Sequence, residues 1–206
     1  MFKVFLCPKL VESGNHKLRK AALFLISFIF ISLPVFSHSL KLGLSFSGGL
    51  AAGDANKIFY GNAGGGIDAE YEIFPSFGVS SSVDFYRSIP KDNRISFASS
   101  LDFLLGAWYR FDFEHSGFAL QPSVNSGVCF EKAVADIPSY SSSIYTDFIL
   151  KPELSLRYSN SKIAGGNLEF ALTPYANIIP QKDALSIYAG ASLGLLYRFD
   201  FNGGRK

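Results

Sequence analysis

The sequence has 206 residues, enough for one domain or two small ones. Aromatic residues make up 16% of the chain and charged residues 17%, against roughly 25% charged in soluble domains, which excludes a disordered chain and a helical bundle. The formal net charge is only +2, so the composition gives no indication of nucleic-acid binding.

The N-terminal segment has the pattern of a secretory signal peptide. Basic residues around Lys17 precede an uncharged apolar run over residues 21–36, and the small residues Ser37 and Ser39 follow it. We therefore predict a signal peptide over residues 1–39 that is removed on export. An uncleaved anchor helix is the alternative, although the run is short for a spanning helix. Removal takes five of the 19 basic and one of the 17 acidic residues, which leaves 14 and 16.

The segment over residues 184–201 shows the clearest hydrophobic pattern in the chain. Apolar residues alternate with small or polar residues over its whole length, which predicts a long strand with one apolar face. Its length exceeds the usual 5–6 residues or so of soluble strands and suits a tilted membrane strand of roughly 9–11 residues. The apolar parity consists of Leu185, Ile187, Ala189, Ala191, Leu193, Leu195, Tyr197, Phe199 and Phe201.

Seven earlier segments repeat this alternation, so the predicted total is eight strands. An even number of antiparallel strands is typical of outer-membrane barrels, and closure removes exposed sheet edges. We predict loops over residues 48–61 and 132–143 and short turns at residues 75–76 and 114–117. The predicted strands cover residues 40–47, 67–73, 77–87, 95–113, 118–131, 148–158, 167–177 and 184–201.

These features predict an all-β fold, an eight-stranded antiparallel up-and-down transmembrane β-barrel over residues 40–201 with a short tail over residues 202–206. Alternation of short turns with longer loops is the outer-membrane arrangement. Aromatic residues end the even-numbered strands, which places them together at one water–lipid interface. The predicted interfacial girdle consists of Tyr109, Phe111, Phe113, Tyr197, Phe199 and Phe201.

The polar parity of the same strands predicts a salt-bridged interior. The lumen of an eight-stranded barrel is just wide enough for side chains to fill it. Buried charges are costly unless they are paired, so we expect acidic and basic side chains to meet there. The predicted lumen polar network consists of Asp68, Glu70, Glu72, Asp84, Asp102, Arg110, Lys151, Glu153, Arg157 and Arg198.

The signal peptide, the eight amphipathic strands and the ending Gly-Leu-Leu-Tyr-Arg-Phe-Asp-Phe resemble small bacterial outer-membrane β-barrel proteins of the OmpA, OmpX and OmpW kind. The resemblance covers most of residues 40–201. It implies a location in the bacterial outer membrane, contact with outer-membrane lipid, insertion by the barrel-insertion machinery, and a structural or passive permeation role. Such proteins usually end on the aromatic residue of the last strand, whereas residues 202–206 follow Phe201 here.

Three prolines occupy consecutive predicted strands on the outward, apolar parity: Pro122, Pro152 and Pro174. Proline removes a donor from the hydrogen-bond ladder and is normally kept out of central strands. One interpretation is three bulges that tune the curvature of the wall. The other is a candidate lateral seam through which a small hydrophobic solute leaves sideways into the membrane, as the resemblance to OmpW-like barrels implies.

The predicted mature chain shows no catalytic, metal or cofactor site and no nucleophile–base pair. Its only histidine, His115, lies in a predicted turn, where solvation is the ordinary role. Residues 61–66 resemble a phosphate-binding loop only superficially, because they precede an acidic strand rather than a helix, and a flexible loop is the preferred interpretation. The acidic ladder Asp68, Glu70 and Glu72 is a candidate cation site, but pairing with arginines across the lumen is the preferred interpretation.

Two functions from other classes stay open. A soluble periplasmic or secreted β-barrel would bind an apolar ligand inside and turn its polar parity outward. A surface adhesin would bind a host partner through the segments 51–62 and 132–143. We favour the membrane barrel, because the polar parity is rich in Gly and Ser, which suit a crowded lumen, and the apolar parity ends in aromatic residues.

Overall fold

The computed structural model describes residues 39–92, 95–135, 143–163 and 166–200. The predicted signal peptide lies outside these residues except for Ser39, which begins the first strand. The predicted tail and Phe201 also lie outside them. Within the described ranges no helix has the length and apolar character needed to cross a membrane.

Strands make up nearly the whole of the described chain. A short 3-10 turn, Ala55–Lys57, separates the first two strands. The described strand segments are β1 (Ser39–Gly53), β2 (Phe59–Phe74), β3 (Phe77–Pro90), β4 (Ile95–Tyr109), β5 (Phe111–Asp112), β6 (Phe118–Ala135), β7 (Ser143–Ile163), β8 (Gly166–Gln181) and β9 (Ala184–Asp200).

The strands form one antiparallel sheet that closes on itself. Their order is β4-β3-β2-β1-β9-β8-β7-β6-β5, and β4 also pairs with β6, which closes the barrel. β4 and β5 are two parts of a single wall strand, since both pair with β6. The structure therefore confirms the predicted all-β, eight-stranded, up-and-down barrel.

Pro122 accounts for the split of one predicted strand into β4 and β5. Proline has no N–H to donate to the ladder, and Pro122 lies opposite the interruption. The predicted strand over residues 95–113 is thus one wall strand with a local break at Arg110. The pairs on either side of the break are Trp108 with Ser123 and Phe111 with Leu120.

The predicted loop over residues 48–61 is wrong. β1 and β2 extend into it and leave only residues 54–58 as a connection. The predicted loop over residues 132–143 also shortens, because β6 and β7 extend into it and leave residues 136–142. The barrel therefore presents much less loop at this end than the composition indicates.

Close backbone approach is the reason that a glycine-rich segment forms strands here. A Cβ at Gly61 would lie 2.1 Å from the carbonyl oxygen of Gly49 on the neighbouring strand. Only glycine allows the two backbones to approach so closely. The segment over residues 61–66 is part of β2 and not a flexible loop.

The connection between β1 and β2 is fastened to β9. The backbone N–H of Asp54 donates to the carbonyl of Leu185 at 2.9 Å, and the N–H of Leu185 donates to Asp54 Oδ2 at 2.8 Å. Lys57 Nζ donates to Asp54 Oδ1 at 2.6 Å, and this hydrogen bond lowers the pKa of the Asp54 carboxyl. The short connection is therefore held both by β9 and by its own Lys57–Asp54 pair.

The two ends of the barrel differ in their connections. One end, here called the turn rim, includes the connections at residues 75–76 and 113–117. The other end, here called the loop rim, includes those at residues 54–58, 136–142 and 182–183. The longest of these connections, residues 136–142, belongs to the loop rim, but the connections at residues 54–58 and 113–117 are equal in length.

Side chains alternate between an apolar outer wall and an interior that holds the charges. In β9, Leu185, Leu193 and Leu195 are exposed, whereas Tyr188 and Leu196 are buried. The same period of two runs along the other long strands. An outer wall of exposed Leu, Ile, Val and Phe has the character of a surface that faces lipid.

The single tryptophan lies in the interior against a glycine. Trp108 is 2% exposed, and its Nε1 donates to the carbonyl of Val79 at 3.0 Å. A Cβ at Gly78 would lie 2.2 Å from Trp108 Cζ2, so the indole occupies the space that a side chain there would need. Lys41 Nζ lies 5.5 Å from the ring centroid, which adds a cation–π contact.

We predict that Gly78→Ala destabilises the barrel, because the new methyl group overlaps the Trp108 ring and the backbone of Tyr71. Overpacking of this kind costs about 1–3 kcal/mol. Urea unfolding in detergent micelles, followed by Trp108 fluorescence, measures the loss. Gly194→Ala is the matched interior control, since its Cβ would lie 3.4 Å from Ala171 Cβ. An equal loss in both variants would contradict the packing argument.

Candidate functional site

The barrel interior is the candidate site, because the strands direct their charged side chains into it. Three layers follow one another from the turn rim to the loop rim: an ionic cluster, a polar middle layer and an apolar plug. β1 passes through all three, from Lys41, which pairs with Glu70, to Ala51 near its end.

The ionic cluster consists of Lys41, Glu70, Arg110, Arg157 and Glu169. Lys41 Nζ lies 3.1 Å from Glu169 Oε2, and Arg110 Nη1 lies 3.1 Å from the same oxygen. Arg157 donates to both carboxylate oxygens of Glu70, with Nη1 at 2.8 Å from Oε2. This two-pronged geometry is the strongest form of an arginine–carboxylate pair.

The ionic cluster is closed to solvent, and its charges are balanced. Each of its five side chains is no more than 10% exposed. Arg110 Nε also donates to Asp112 Oδ1 at 2.7 Å, and Gln121 Nε2 donates to Glu70 at 3.3 Å. With Asp112 included, three cations meet three carboxylates. The cost of burying each charge is therefore offset by an opposite charge within contact.

The polar middle layer is centred on Lys151. Its Nζ lies 2.9 Å from Asp84 Oδ2 and 2.9 Å from Glu153 Oε1. The same ammonium lies 5.1 Å from the centroid of the Tyr175 ring. Asn125 Nδ2 donates to Glu153 at 2.8 Å, which connects β6 to β7. Lys151 thus joins carboxylates on two strands that lie far apart in the sheet order.

The other four predicted network residues are placed differently. Near the turn rim, Arg198 lies 3.2 Å from Glu72, which also accepts a 2.6 Å hydrogen bond from Ser39 Oγ. Asp102 is buried and Asp68 half-buried, and neither forms an ion pair with a described residue. The predicted network is therefore three groups of ion pairs with two carboxylates outside them.

An apolar plug fills the interior near the loop rim. Phe59 packs against it, and its members within the strands lie on the inward parity, where polar side chains are expected. A small polar lumen would be open to water at this level, whereas packed apolar groups exclude it. The plug consists of Ala51, Ala55, Leu104, Cys129, Ile149, Ile179 and Tyr188.

The predicted network lacks two members of the ionic cluster, Lys41 and Glu169. Both lie on the polar parity of their strands, and this parity is the signal that identifies them. Parity does not reveal which carboxylate becomes the central acceptor, because that depends on contacts across the lumen. Leu104 and Ile149 carry no such signal, since they are apolar residues on the inward parity.

Aromatic side chains gather at the turn rim. The ring centroids of Tyr109 and Phe111 lie 4.8 Å apart, and those of Tyr197 and Phe199 lie 4.6 Å apart. Phe113 is exposed in the adjoining turn. Phe118 and Tyr158, with centroids 4.7 Å apart, form another aromatic pair at this rim.

The three prolines lie at two different strand junctions. Pro122 faces the break between β4 and β5, whereas Pro152 and Pro174 lie in β7 and β8, which pair with each other. The β6–β7 ladder runs without interruption, but the β7–β8 ladder lapses beside these two prolines. Along this stretch the described β7–β8 pairs are Leu150 with Ile178, Glu153 with Tyr175 and Leu156 with Leu172.

The described residues offer little for catalysis. Among them, no group of three or more His, Cys, Asp or Glu side chains is arranged to hold a metal ion. Cys129 is a free thiol buried within the apolar plug. His115 is exposed in the turn before β6, with a φ of 61°. The charges of the ionic cluster and of the polar middle layer are paired with one another, whereas Asp68 and Asp102 lie outside these pairs.

Comparison with known proteins gives structural matches only, since no family model and no curated protein matches the chain. Neisserial surface protein A is 16% identical, with a TM-score of 0.50 over 79% of this chain and 96% of that chain. Ail, the attachment invasion locus protein of Yersinia pestis, is 15% identical, with a TM-score of 0.53 over 79% and 99%. The outer membrane protein OprG from Pseudomonas aeruginosa is 14% identical, with a TM-score of 0.50 over 80% and 97%.

The chain has the fold of the small outer-membrane β-barrels. The likeness covers nearly the full length of each of these proteins, so the whole barrel corresponds and not a part of it. At such low identity the likeness establishes the fold alone. What this barrel does must be inferred from its own interior and its own wall.

We predict that Glu169→Gln destabilises the barrel strongly, because it removes the carboxylate that Lys41 and Arg110 share. Breaking a buried pair by removal of one partner costs about 3–5 kcal/mol. Glu72→Gln is the matched control, since its partner Arg198 is more exposed, and we expect a loss of about 1 kcal/mol or less. Urea midpoints in micelles compare the two variants, and similar losses would contradict the central role of Glu169.

Proposed function

We propose that the protein is an integral outer-membrane β-barrel that spans the bilayer as a closed scaffold, with its loop rim facing outside. The observation that carries this proposal is the filling of the interior at both ends, by the ionic cluster and by the apolar plug. An eight-stranded barrel becomes a channel only if its side chains leave a path. Here charged and apolar side chains meet across the lumen at two levels.

Outer-membrane lipid is the main partner under this proposal. The outer wall exposes large apolar side chains on every long strand, and aromatic pairs lie at the turn rim. Lipid is the solvent that such a wall suits, since the sheet formed by the described strands closes on itself. Export by the signal peptide over residues 1–39 and insertion by the barrel-insertion machinery belong to the same proposal.

Two observations weigh against the other function classes. A soluble barrel that binds an apolar ligand needs a polar outer wall, whereas here the outer wall is apolar and the ion pairs lie inside. A surface adhesin that binds through the segment 51–62 needs an extended loop there, whereas β1 and β2 leave only residues 54–58 between them. We propose no enzymatic activity, since the charged groups of the ionic cluster and of the polar middle layer are paired with one another.

We predict that the wild-type protein conducts no ions in planar lipid bilayers, because two separate layers close its lumen. One set of substitutions truncates side chains of the apolar plug: Leu104→Ala, Ile149→Ala and Ile179→Ala. A second set removes both members of one ion pair of the ionic cluster: Glu70→Ala and Arg157→Ala. Either set alone is expected to leave the barrel closed, since the other layer remains. The combined variant is expected to give conductance steps.

The control for this experiment carries truncations on the outer wall. Phe46→Ala, Leu105→Ala and Leu193→Ala remove exposed side chains of similar size and leave the interior unchanged. We expect no conductance from this variant. Steady conductance from the wild-type protein would refute the closed scaffold and favour passive permeation of small solutes.

A second candidate function is sideways release of a small hydrophobic solute between β7 and β8. The specific observation in its favour is the lapse of the β7–β8 ladder beside Pro152 and Pro174. Contacts on the inner side bridge the same stretch: Ser155 Oγ lies 2.7 Å from Thr173 Oγ1. Passage of an apolar molecule requires this hydrogen bond to open, which makes the closed scaffold the preferred function.

We predict for this second function that Pro152→Ala with Pro174→Ala reduces uptake of a hydrophobic fluorescent probe by cells, because two new N–H donors complete the ladder. Hydrogen exchange of the β7 and β8 amides checks that the ladder has tightened. Pro180→Ala, near the loop rim of β8, is the control and leaves uptake unchanged. Tighter amides with undiminished uptake would remove lateral release from consideration.

A further inference from the structure

One inward-facing row of the barrel has two glycines between an asparagine and a tyrosine. Asn62 of β2 pairs with Gly49 of β1. Gly49 pairs with Gly190 of β9, which in turn pairs with Tyr175 of β8. Asn62 is 6% exposed and Tyr175 is 5% exposed, so both side chains lie in the closed interior. The two strands between them contribute no side chain at this level.

The polar ends of Asn62 and Tyr175 approach each other over Gly49. A Cβ at Gly49 would lie 3.1 Å from Asn62 Oδ1 and 3.3 Å from the hydroxyl oxygen of Tyr175. The carbonyl oxygen of Ala189 would lie 3.2 Å from the same Cβ. The Asn62 and Tyr175 oxygens are therefore separated by no more than the sum of their two distances.

Neither of these two side-chain oxygens has a hydrogen-bond partner among the described residues, although both are shielded from solvent. The hydroxyls of Ser47 and Tyr86 adjoin the Tyr175 hydroxyl, so the surroundings are polar. Buried polar groups in proteins nearly always bond to the protein or to an ordered water molecule. Two such oxygens at one glycine therefore indicate a small hydrogen-bonding ligand between them.

Gly49 leaves room for this ligand, unlike two other inward-facing glycines on the neighbouring strand β2. A Cβ at Gly64 would lie 1.9 Å from the carbonyl oxygen of Phe85, and a Cβ at Gly66 would lie 1.9 Å from Asp84 Oδ1. No atom lies so close to a Cβ at Gly49, where the nearest is at 3.1 Å. The ligand would lie on the lumen side of Gly49, so a side chain at this position would take its place.

The chemistry of the three oxygens favours water over a cation. The amide oxygen of Asn62 and the carbonyl oxygen of Ala189 only accept hydrogen bonds, whereas the Tyr175 hydroxyl can donate one. A water molecule donates two hydrogen bonds and also accepts, and bonds of about 2.8 Å on either side span a gap of this size. A positive charge is already present, since Lys151 Nζ lies 5.1 Å from the centroid of the Tyr175 ring.

We propose that the barrel interior binds one water molecule between Asn62 and Tyr175, at the place that Gly49 leaves open. This water connects β2 to β8 across the two strands that have no side chain there. The ionic cluster and the apolar plug lie on either side of it, so its exchange with bulk water is slow. The inference goes beyond the proposed function, because it depends on the interior alone and not on the membrane around the wall.

Oxygen-17 magnetic relaxation dispersion tests the site, because it counts the long-lived water molecules of the full-length protein in detergent micelles. The Gly49→Ala variant is expected to hold one fewer than the wild-type protein, since the methyl group takes the place of the water. Gly194→Ala is the matched control, because its Cβ would lie 3.4 Å from Ala171 Cβ and away from the site. Equal counts in the wild-type protein and Gly49→Ala, or the same loss in both variants, would overturn the site.

A double-mutant cycle keeps the proposal testable where Gly49→Ala does not fold. Asn62→Ala and Tyr175→Phe are each expected to lower the folding equilibrium constant about fivefold, which corresponds to one hydrogen bond. The double variant is expected to lower it by little more than either change alone, because the first change already releases the water. A loss of roughly 25-fold in the double variant, the product of two independent effects, would overturn the bridge.

Asn62→Ala with Ser39→Ala is the control pair for this cycle. Ser39 begins β1, ten residues before Gly49, and donates to Glu72 at the turn rim, so the two losses are expected to multiply. Urea unfolding in micelles measures all variants in sodium, potassium and choline chloride. Coupling between Asn62 and Tyr175 that is the same in the three salts supports water. Coupling that disappears in choline would overturn the assignment to water in favour of a metal cation.

Discussion

A barrel of eight strands has no room to hydrate a charge inside it, so each interior ion depends on another side chain. Glu169 shows the consequence, since it is 1% exposed and meets both Lys41 and Arg110. These contacts join β1, β8 and the junction of β4 and β5, which lie apart along the sheet. Ladder hydrogen bonds close the cylinder, and the ionic cluster ties its opposite walls together.

The two ends of the interior are closed by different forces. Near the turn rim the closure is electrostatic and directional, with arginine forks on carboxylates. Near the loop rim it is apolar packing of residues such as Leu104 and Ile149. Salt and pH change the strength of the ion pairs near the turn rim, whereas side-chain volume determines the packing near the loop rim. A closed lumen follows from either one, which explains why we regard the barrel as a scaffold.

Much of the fold was predictable from the alternation of apolar and polar residues, because successive side chains of a closed barrel face either its apolar outer wall or its narrow lumen. β9 is the clearest example, with exposed Leu193 and Leu195 around Gly194. The glycine-rich part of β2 was not predictable in this way. Its glycines serve close backbone approach, and composition alone does not separate that role from a loop.

The candidate site was predictable only in part, for a physical reason. Parity indicates that Arg157 and Glu70 point inward. Which side chains form ion pairs across the lumen depends on the stagger of the strands, which parity does not give. The apolar plug breaks the parity rule, since Ile149 and Ile179 face inward. In a lumen closed to water, apolar packing stabilises the barrel at one level and ion pairs stabilise it at another.

The measurement that tests the central claim most directly is gel mobility with and without boiling, after folding of the protein in detergent micelles and separately in plain buffer. The account predicts a β-rich protein in micelles, with a boiling-dependent shift in mobility, and no folding in buffer alone. A protein that folds in buffer without detergent and shows no shift would contradict the membrane barrel.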